Sequence, residues 1–376
     1  MLEPRQQLQK TMSAAIFYRP NNISIEQVRI PPYSTTKGVI LKVNACAICG
    51  YDVRVYRYGH SKVIPPIILG HEICGEILET VFIGEDRYNT KKTRTIESGT
   101  RVAVCPIIPC LTCIYCLSCQ YNLCINLKEI GSTTDGGFAE YVYIPDQILE
   151  IGGLVEVPTH LSNEEVVLLE PLACCLNGFS KTSPIVQGKT PPSVAIIGDG
   201  PIGLLHLQIS KNIYGANTIV VGKIPSRLQK AKEMGADEII SLNNIEDDEA
   251  AKKIQGFTDG IGANIAMVAT SNPQALDLAT KIVRKNSKIN IFAGMPKGTS
   301  LGMDSNWLHY NEISITGSFS STPSMLREAC RLASDKTIDL EKMITHRYSL
   351  KDIEDAIFAT EKYYGLRTVI NNFQKN

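Results

Sequence analysis

The sequence predicts an α/β protein in which a mainly β domain is joined to a doubly wound parallel sheet, and three observations carry that prediction. From Met12 to about Tyr143 the apolar segments are short and broken by turns. From Ser193 onward apolar strands alternate with helical stretches, the mark of right-handed βαβ crossovers. A glycine-rich turn joins the first of those strands to the first of those helices. The chain has 376 residues, 44% of them hydrophobic, enough for two conventional cores.

In the first part, Ser13 to Tyr18, Gly38 to Val43, Glu76 to Phe82 and Arg101 to Val104 read as strands between turn-forming residues. Pro184 to Pro192, Pro-rich with Gly188, reads as the loop into the parallel sheet. Six strands are expected there: Ser193 to Gly198, Thr218 to Gly222, Glu238 to Ser241, Ala263 to Thr270, Lys288 to Gly294 and Glu312 to Gly317. Pro201 to Ile213 and Pro225 to Met234 carry helical patterns between them. After Pro323 a helix, an extended segment and a second helix follow, the last opened by Ser349-Leu350-Lys351-Asp352, which fits a capping box. This tail is expected to return to the first domain.

Composition narrows the function classes. Lys plus Arg equals Asp plus Glu at 38 each, so no overall field favours nucleic acid or an anionic membrane. Met1 to Thr11 is polar, and no run of about eighteen apolar residues occurs, so neither secretion nor a membrane span is expected. Twelve cysteines suit a reducing compartment, and Cys46, Cys74, Cys174, Cys175 and Cys330 lie among apolar neighbours as core residues do. Together these point to a cytoplasmic protein acting on small molecules.

Two motifs carry chemistry by their own spacing. Cys110, Cys113, Cys116 and Cys124, set C-x2-C-x2-C-x7-C, suit one tetrahedral Zn²⁺ held by four thiolates in a closed structural site, with Cys105 and Cys119 as bystanders. Gly198-Asp199-Gly200-Pro201-Ile202-Gly203 follows the strand Val194-Ala195-Ile196-Ile197 and opens a helix, the context of a dinucleotide loop. Gly198 allows the tight turn, Gly200 admits the pyrophosphate, and Gly203 lets the helix pack on the strand. Asp199 has no part in that scheme. The second strand ends Val220-Val221-Gly222-Lys223 without a carboxylate. Gly222 leaves room for a phosphate, and Lys223 with Arg227 would hold it, which favours NADP(H) while keeping NAD(H) open.

A third set is spread along the chain. Cys49 in Cys46-Ala47-Ile48-Cys49-Gly50-Tyr51-Asp52, His71 and Glu72 in Gly70-His71-Glu72, and Glu170 before Pro171 supply the donor types of a catalytic zinc with one open position. With the cysteine lobe, Gly136-Gly137-Phe138-Ala139-Glu140-Tyr141 and the glycine loop, in this order, they resemble the zinc-dependent medium-chain alcohol dehydrogenases, and Glu170-Pro171 resembles their polyol branch of sorbitol and iditol dehydrogenases. The resemblance implies a GroES-like catalytic domain over 1–177 and 318–376 with its zinc lobe at about 105–124, and a Rossmann domain over 178–317. It implies Cys49, His71 and Glu72 or Glu170 around a second zinc, and a dimer or tetramer. The substrate site is expected in the cleft between the domains, because ligands bind at the carboxyl ends of parallel strands.

The implied reaction is reversible oxidation of a secondary alcohol of a polyol or sugar-like substrate to the ketone. Where the family carries Ser or Thr and often His as its proton relay, this chain has Tyr51 and Arg54, and Tyr51 retains a hydroxyl. Asn177 stands where the classical enzymes have a second Cys ligand. Tyr58 and His60 lie in a segment that borders the substrate in polyol enzymes. Two other readings fit the same residues. One is an NADPH-dependent biosynthetic reductase of aldehydes, ketones or conjugated carbonyls; the other is a non-catalytic NADPH-binding protein.

Overall fold

The computed structural model describes residues 11–31, 38–84, 93–182 and 191–373. The Pro184 to Pro192 loop and the polar start of the chain fall largely outside the described residues. The chain divides into two compact units: one formed by 1–170, 322–330 and 340–376, the other by 171–321 and 331–339.

In the first unit, β1 (Thr11–Arg19) pairs antiparallel with β2 (Asn22–Arg29). β3 (Val39–Ala47) leads into α1 (Gly50–Tyr58), and β4 (Ile67–Ile68) returns along β1 before β5 (Glu72–Ile77). β6 (Val81–Gly84) and β7 (Thr93–Ile96) form a ribbon, followed by β8 (Arg101–Val104). The expected strand Glu76 to Phe82 is therefore two strands, because the chain turns between Ile77 and Val81 and only the ends of the apolar run are paired. β9 (Ile107–Ile108) and β10 (Lys128–Glu129) pair on either side of the cysteine lobe, which contains α2 (Ile114–Leu117). β11 (Tyr141–Ile144), α3 (Asp146–Glu150), β12 (Leu154–Glu156) and α4 (Asn163–Val167) complete this stretch.

α5 (Leu169–Thr182) begins in the first unit and continues in the second. There β13 (Ser193–Ile197), α6 (Pro201–Asn212), β14 (Asn217–Gly222), α7 (Pro225–Glu233) and β15 (Glu238–Ser241) alternate. They are followed by α8 (Asp247–Phe257), β16 (Ala263–Val268), α9 (Gln274–Ile282), β17 (Val283–Ile291), α10 (Ser305–Tyr310) and β18 (Ser314–Gly317). The six strands are all parallel, in the order β15-β14-β13-β16-β17-β18, which is the order of a dinucleotide-binding sheet. β13 and β14 are near-continuous apolar runs because helices cover both faces of such a sheet.

The sequence placed the domain boundaries at 177/178 and 317/318. The contact division differs because residues 331–339 bond to α6: Gln208 Nε2 donates to the Asp339 carbonyl at 3.1 Å, and the Asp339 amide donates to Gln208 Oε1 at 2.7 Å. α11 (Pro323–Ser334) precedes that stretch, and β19 (Ile344–Ser349), α12 (Ile353–Glu361) and β20 (Arg367–Asn372) follow it. The capping box expected at Ser349 is not formed. A 3-10 turn over Leu350–Asp352 intervenes, and Ser349 caps nothing with its side chain. A capping box does open α4, where Ser162 Oγ accepts from the Glu165 amide and Glu165 Oε2 accepts from the Ser162 amide.

The tail builds the first unit's main sheet, ordered β12-β8-β5-β3-β20-β19 with β11 also on β3. β20 lies antiparallel to β3, opposing Val369 to Ala47 and Ile370 to Cys46. Its first residue, Arg367, is 5% exposed and forms an ion pair with Glu72, which is fully buried at the start of β5. β5 and β20 flank β3, so the pair closes the end of the sheet from which α1 departs. Of the cysteines read as core, Cys46, Cys74, Cys175 and Cys330 are buried and Cys174 is half-buried. Among the described residues, no helix is long and apolar enough to cross a membrane.

Arg367→Met would leave Glu72 buried without its partner, and breaking a buried pair costs about 3–5 kcal/mol. Denaturant unfolding of the first unit should show a loss of that size; a change below about 1 kcal/mol would contradict the assigned role.

Candidate functional site

Cys49, His71 and Glu72 come together at the end of the first unit's sheet. Their ligand atoms all lie within 4.8 Å of one another. Cys49 sits where β3 passes into α1, and its amide donates to Asp52 Oδ2 at 2.9 Å. Asp52 Oδ1 lies 3.5 Å from His71 Nδ1, so one carboxylate both starts the helix and turns the imidazole. A carboxylate held against Nδ1 in this way leaves the other ring nitrogen free for a metal. Burial alone would lower the His71 pKa, but the charge and hydrogen bond of Asp52, together with the Cys49 sulfur, outweigh it and hold the ring well above its usual value.

His71 is positioned by the turn before it. Gly70 has φ +92°, and a Cβ there would press on the Phe138 ring and Cys46 Sγ at 2.8 and 2.9 Å. The Gly136-Gly137-Phe138 segment laces this turn: the Gly137 amide donates to the Gly70 carbonyl and the Phe138 amide to the Leu69 carbonyl. Glu72 Oε1 is buried with no hydrogen-bond partner among the described residues. An orphaned buried carboxylate oxygen beside a thiol and an oriented imidazole fits a divalent cation. Glu170 is buried in the first turn of α5 but is not in this three-residue group.

The four lobe cysteines form the second group, again with ligand atoms within 4.8 Å. Tetrahedral zinc with ~2.3 Å bonds spaces its sulfurs about 3.8 Å apart. Here Cys110 and Cys116 are 3.9 Å apart and Cys113 and Cys116 are 3.5 Å apart, and all four are free thiols. Hydrogen bonding from the Thr112 backbone lowers the Cys110 pKa to about 6, whereas burial pushes Cys116 up to about 12. Four sulfurs so close together need a cation to become thiolates jointly. The lobe exposes Ile114, Leu117 and Ile125 at 69, 67 and 68% while burying Tyr121.

In the second unit the glycine loop runs from β13 into α6, with Gly200 as N-cap and Pro201 and Ile202 in the first turn. A Cβ on Gly203 would collide with the Gly198 carbonyl oxygen, so the close packing of helix on strand requires glycine. A Cβ on Gly200 would meet only Arg227 Nη1, at 3.7 Å, which leaves an open backbone face beside a cation and fits a pyrophosphate. One expectation is corrected: Gly222 does not leave room for a phosphate, because the Asp199 carboxylate fills the space beside it. Lys223 is exposed and Arg227 is buried.

Tyr51 Oη lies 2.8 Å from Ser132 Oγ and 3.4 Å from His60 Nδ1, and its ring packs edge-on against His71. Burial raises its pKa. Arg54 and Tyr58 point to solvent. Asn177 donates to the carbonyls of Phe319 and Ser320, a structural task. Asp52, Ser132 and Arg367 were given no role from sequence. The acid three residues after Cys49, at the start of a helix, is the signal that would have found Asp52.

The chain matches the family model described as zinc-binding dehydrogenase over residues 201–335 and that of the alcohol dehydrogenase GroES-like domain over residues 35–153. It is 33% identical over 353 residues to a sorbitol dehydrogenase of Bacillus subtilis (strain 168), covering 93% of each chain. The chain belongs to the zinc-dependent medium-chain alcohol dehydrogenases. Its relatives place it on their polyol branch, as an oxidoreductase linked to NAD(H) or NADP(H). Among solved structures, a zinc-binding dehydrogenase of Sinorhizobium meliloti 1021 bound to NADP aligns with TM-score 0.83 at 28% identity. An alcohol dehydrogenase of E. coli CFT073 complexed with NADH aligns with TM-score 0.83 at 26% identity. Each alignment covers 96% of this chain and 100% of the other.

The two cysteine groups should separate on mutation. Cys49→Ala is expected to lower bound zinc by one equivalent while the thermal midpoint stays near that of the parent. Cys113→Ala should lower the midpoint as well, because metal-binding energy in a closed site is folding energy. Elemental analysis with thermal melts reads both, and full zinc content in Cys49→Ala would contradict the ligand assignment.

Proposed function

We propose that this protein oxidises a secondary alcohol of a polyol or sugar-like substrate to the ketone, reversibly, with hydride transfer to a nicotinamide dinucleotide. The observation that carries the reading is the Cys49, His71 and Glu72 cluster, oriented by Asp52 and Arg367, in a chain that also holds the glycine loop. The likeness to a sorbitol dehydrogenase supports the polyol substrate class. Two zinc ions per chain, one in this cluster and one in the four-cysteine lobe, belong to the same reading.

Bound zinc supplies a Lewis acid that makes a hydroxyl acidic near neutral pH, and bound nicotinamide accepts the hydride. The chain's own residues do the positioning. Cys49 Sγ, a His71 ring nitrogen and Glu72 Oε1 would hold the metal, three donors where a closed site has four. Glu170 is the remaining carboxylate of the set and is not needed to complete three ligands. Asp52 fixes the imidazole, and Arg367 keeps a counter-charge against Glu72 away from solvent. Tyr51 Oη passes the proton released by the alcohol toward Ser132 Oγ and the exposed His60 Nδ1, standing in for the Ser or Thr relay of the family.

Lys223 and Arg227 favoured NADP(H) in the sequence, but half of that argument was the space at Gly222, so they no longer decide the cofactor alone. Twelve free thiols support a reducing compartment, and the cytoplasm is the proposed location. Family resemblance extends the reading to a homo-oligomer, a dimer or tetramer.

The test is nicotinamide reduction by the zinc-replete protein across vicinal polyols, sugars and simple secondary alcohols, with NAD⁺ and NADP⁺ in parallel. Turnover of a vicinal polyol is expected. No turnover across the panel, with NADPH consumed by enals or ketones, would establish the reductase reading in its place.

A further inference from the structure

A glycine loop that binds pyrophosphate presents backbone N–H groups, and an acidic side chain within it opposes the anion unless it turns elsewhere. Asp199 turns elsewhere. It is 8% exposed, and its Oδ2 accepts from the amides of Lys223 at 2.8 Å and Ile224 at 2.7 Å, the two residues that follow β14. Gly222 is the last residue of β14, and a Cβ built on it would collide with Oδ2, Cγ and Cβ of Asp199. The volume that a side chain at the end of β14 would occupy is thus taken by a carboxylate from the loop of β13. In dinucleotide-binding sheets that position, about twenty residues beyond the glycine loop, holds the acidic side chain that accepts the ribose hydroxyls of NAD.

We propose that Asp199 supplies from the glycine loop the ribose-facing carboxylate that the end of β14 lacks, and that it makes the chain select NAD(H) over NADP(H). This rests on the dinucleotide site of the proposed function and decides its cofactor. The two amides take two of the roughly four acceptor positions of a carboxylate, so capacity for ribose hydroxyls remains. A 2′-phosphate would meet a fixed negative charge instead, and like charges at contact discriminate strongly against a ligand. The nearby cations do not reverse this. Lys223 contributes its amide to Asp199 while its side chain is exposed, and the buried Arg227 guanidinium lies over Gly200, at the pyrophosphate turn.

Equilibrium binding of NADH and NADPH, read by cofactor fluorescence without any substrate, tests this apart from catalysis. The parent protein should bind NADH at least about tenfold tighter than NADPH, the factor equivalent to 1.4 kcal/mol. Asp199→Asn keeps an oxygen for the two amides and so preserves the fold, but removes the charge, and should erase most of the preference. Asp199→Gly combined with Gly222→Asp returns a carboxylate to the end of β14, with its space vacated, and should restore the preference. Tighter binding of NADPH by the parent, an equal loss for both dinucleotides in Asp199→Asn, or no recovery in the double variant would each overturn the proposal. Binding of neither dinucleotide by the parent would remove the proposed function together with it.

Discussion

The buried ion pair between Glu72 and Arg367 is the constraint on which the first unit's chemistry depends. It joins the start of β5 to the start of β20, and both strands lie against β3, the strand that delivers Cys49. Burying two such charges is unfavourable unless each keeps its partner. The pair therefore holds the end of the sheet in one arrangement, and the neighbouring turn places His71 beside Cys49. Asp52 and Glu72 are both buried beside Cys49 and His71, a set of donors that suits a divalent cation.

The two cysteine-containing centres have different physical characters. The lobe brings four sulfurs to near-tetrahedral spacing beneath exposed apolar side chains, a closed donor set that suits a structural metal. The Cys49 centre is the reverse: sheet, helix start and ion pair hold it, and it groups three donors where four would close a site. An incomplete donor set is what metal-ion catalysis needs, because an open position lets a substrate oxygen be polarised.

Much of this was legible from the chain. Five of the six parallel strands were found within about two residues of their observed bounds, because a sheet covered on both faces writes apolar runs that local reading detects, while β17 begins at Val283, five residues before the expected Lys288. The lobe cysteines and the glycine loop declare themselves by short spacing. The reading failed where partners are distant in sequence. Arg367 has no local signal, since only β20 returning along β3 brings it to Glu72. The destination of Asp199 depends on the pairing of β13 with β14, which makes a neighbour of Gly222 that sequence spacing cannot show. The run Glu76 to Phe82 looked continuous because apolar residues flank a turn, and Ser349 looked like a cap because a 3-10 turn shares the composition of a helix start.

The central claim is that Cys49, His71 and Glu72 hold a metal with one position left for substrate. Replacing zinc by cobalt and recording the visible spectrum with and without a polyol or its ketone tests it most directly. The account predicts absorption from a tetrathiolate site that ignores the ligand, plus a second set of bands from a one-thiolate site that shifts when the ligand is added. A spectrum showing the tetrathiolate site alone, unchanged by any alcohol or ketone, would contradict it.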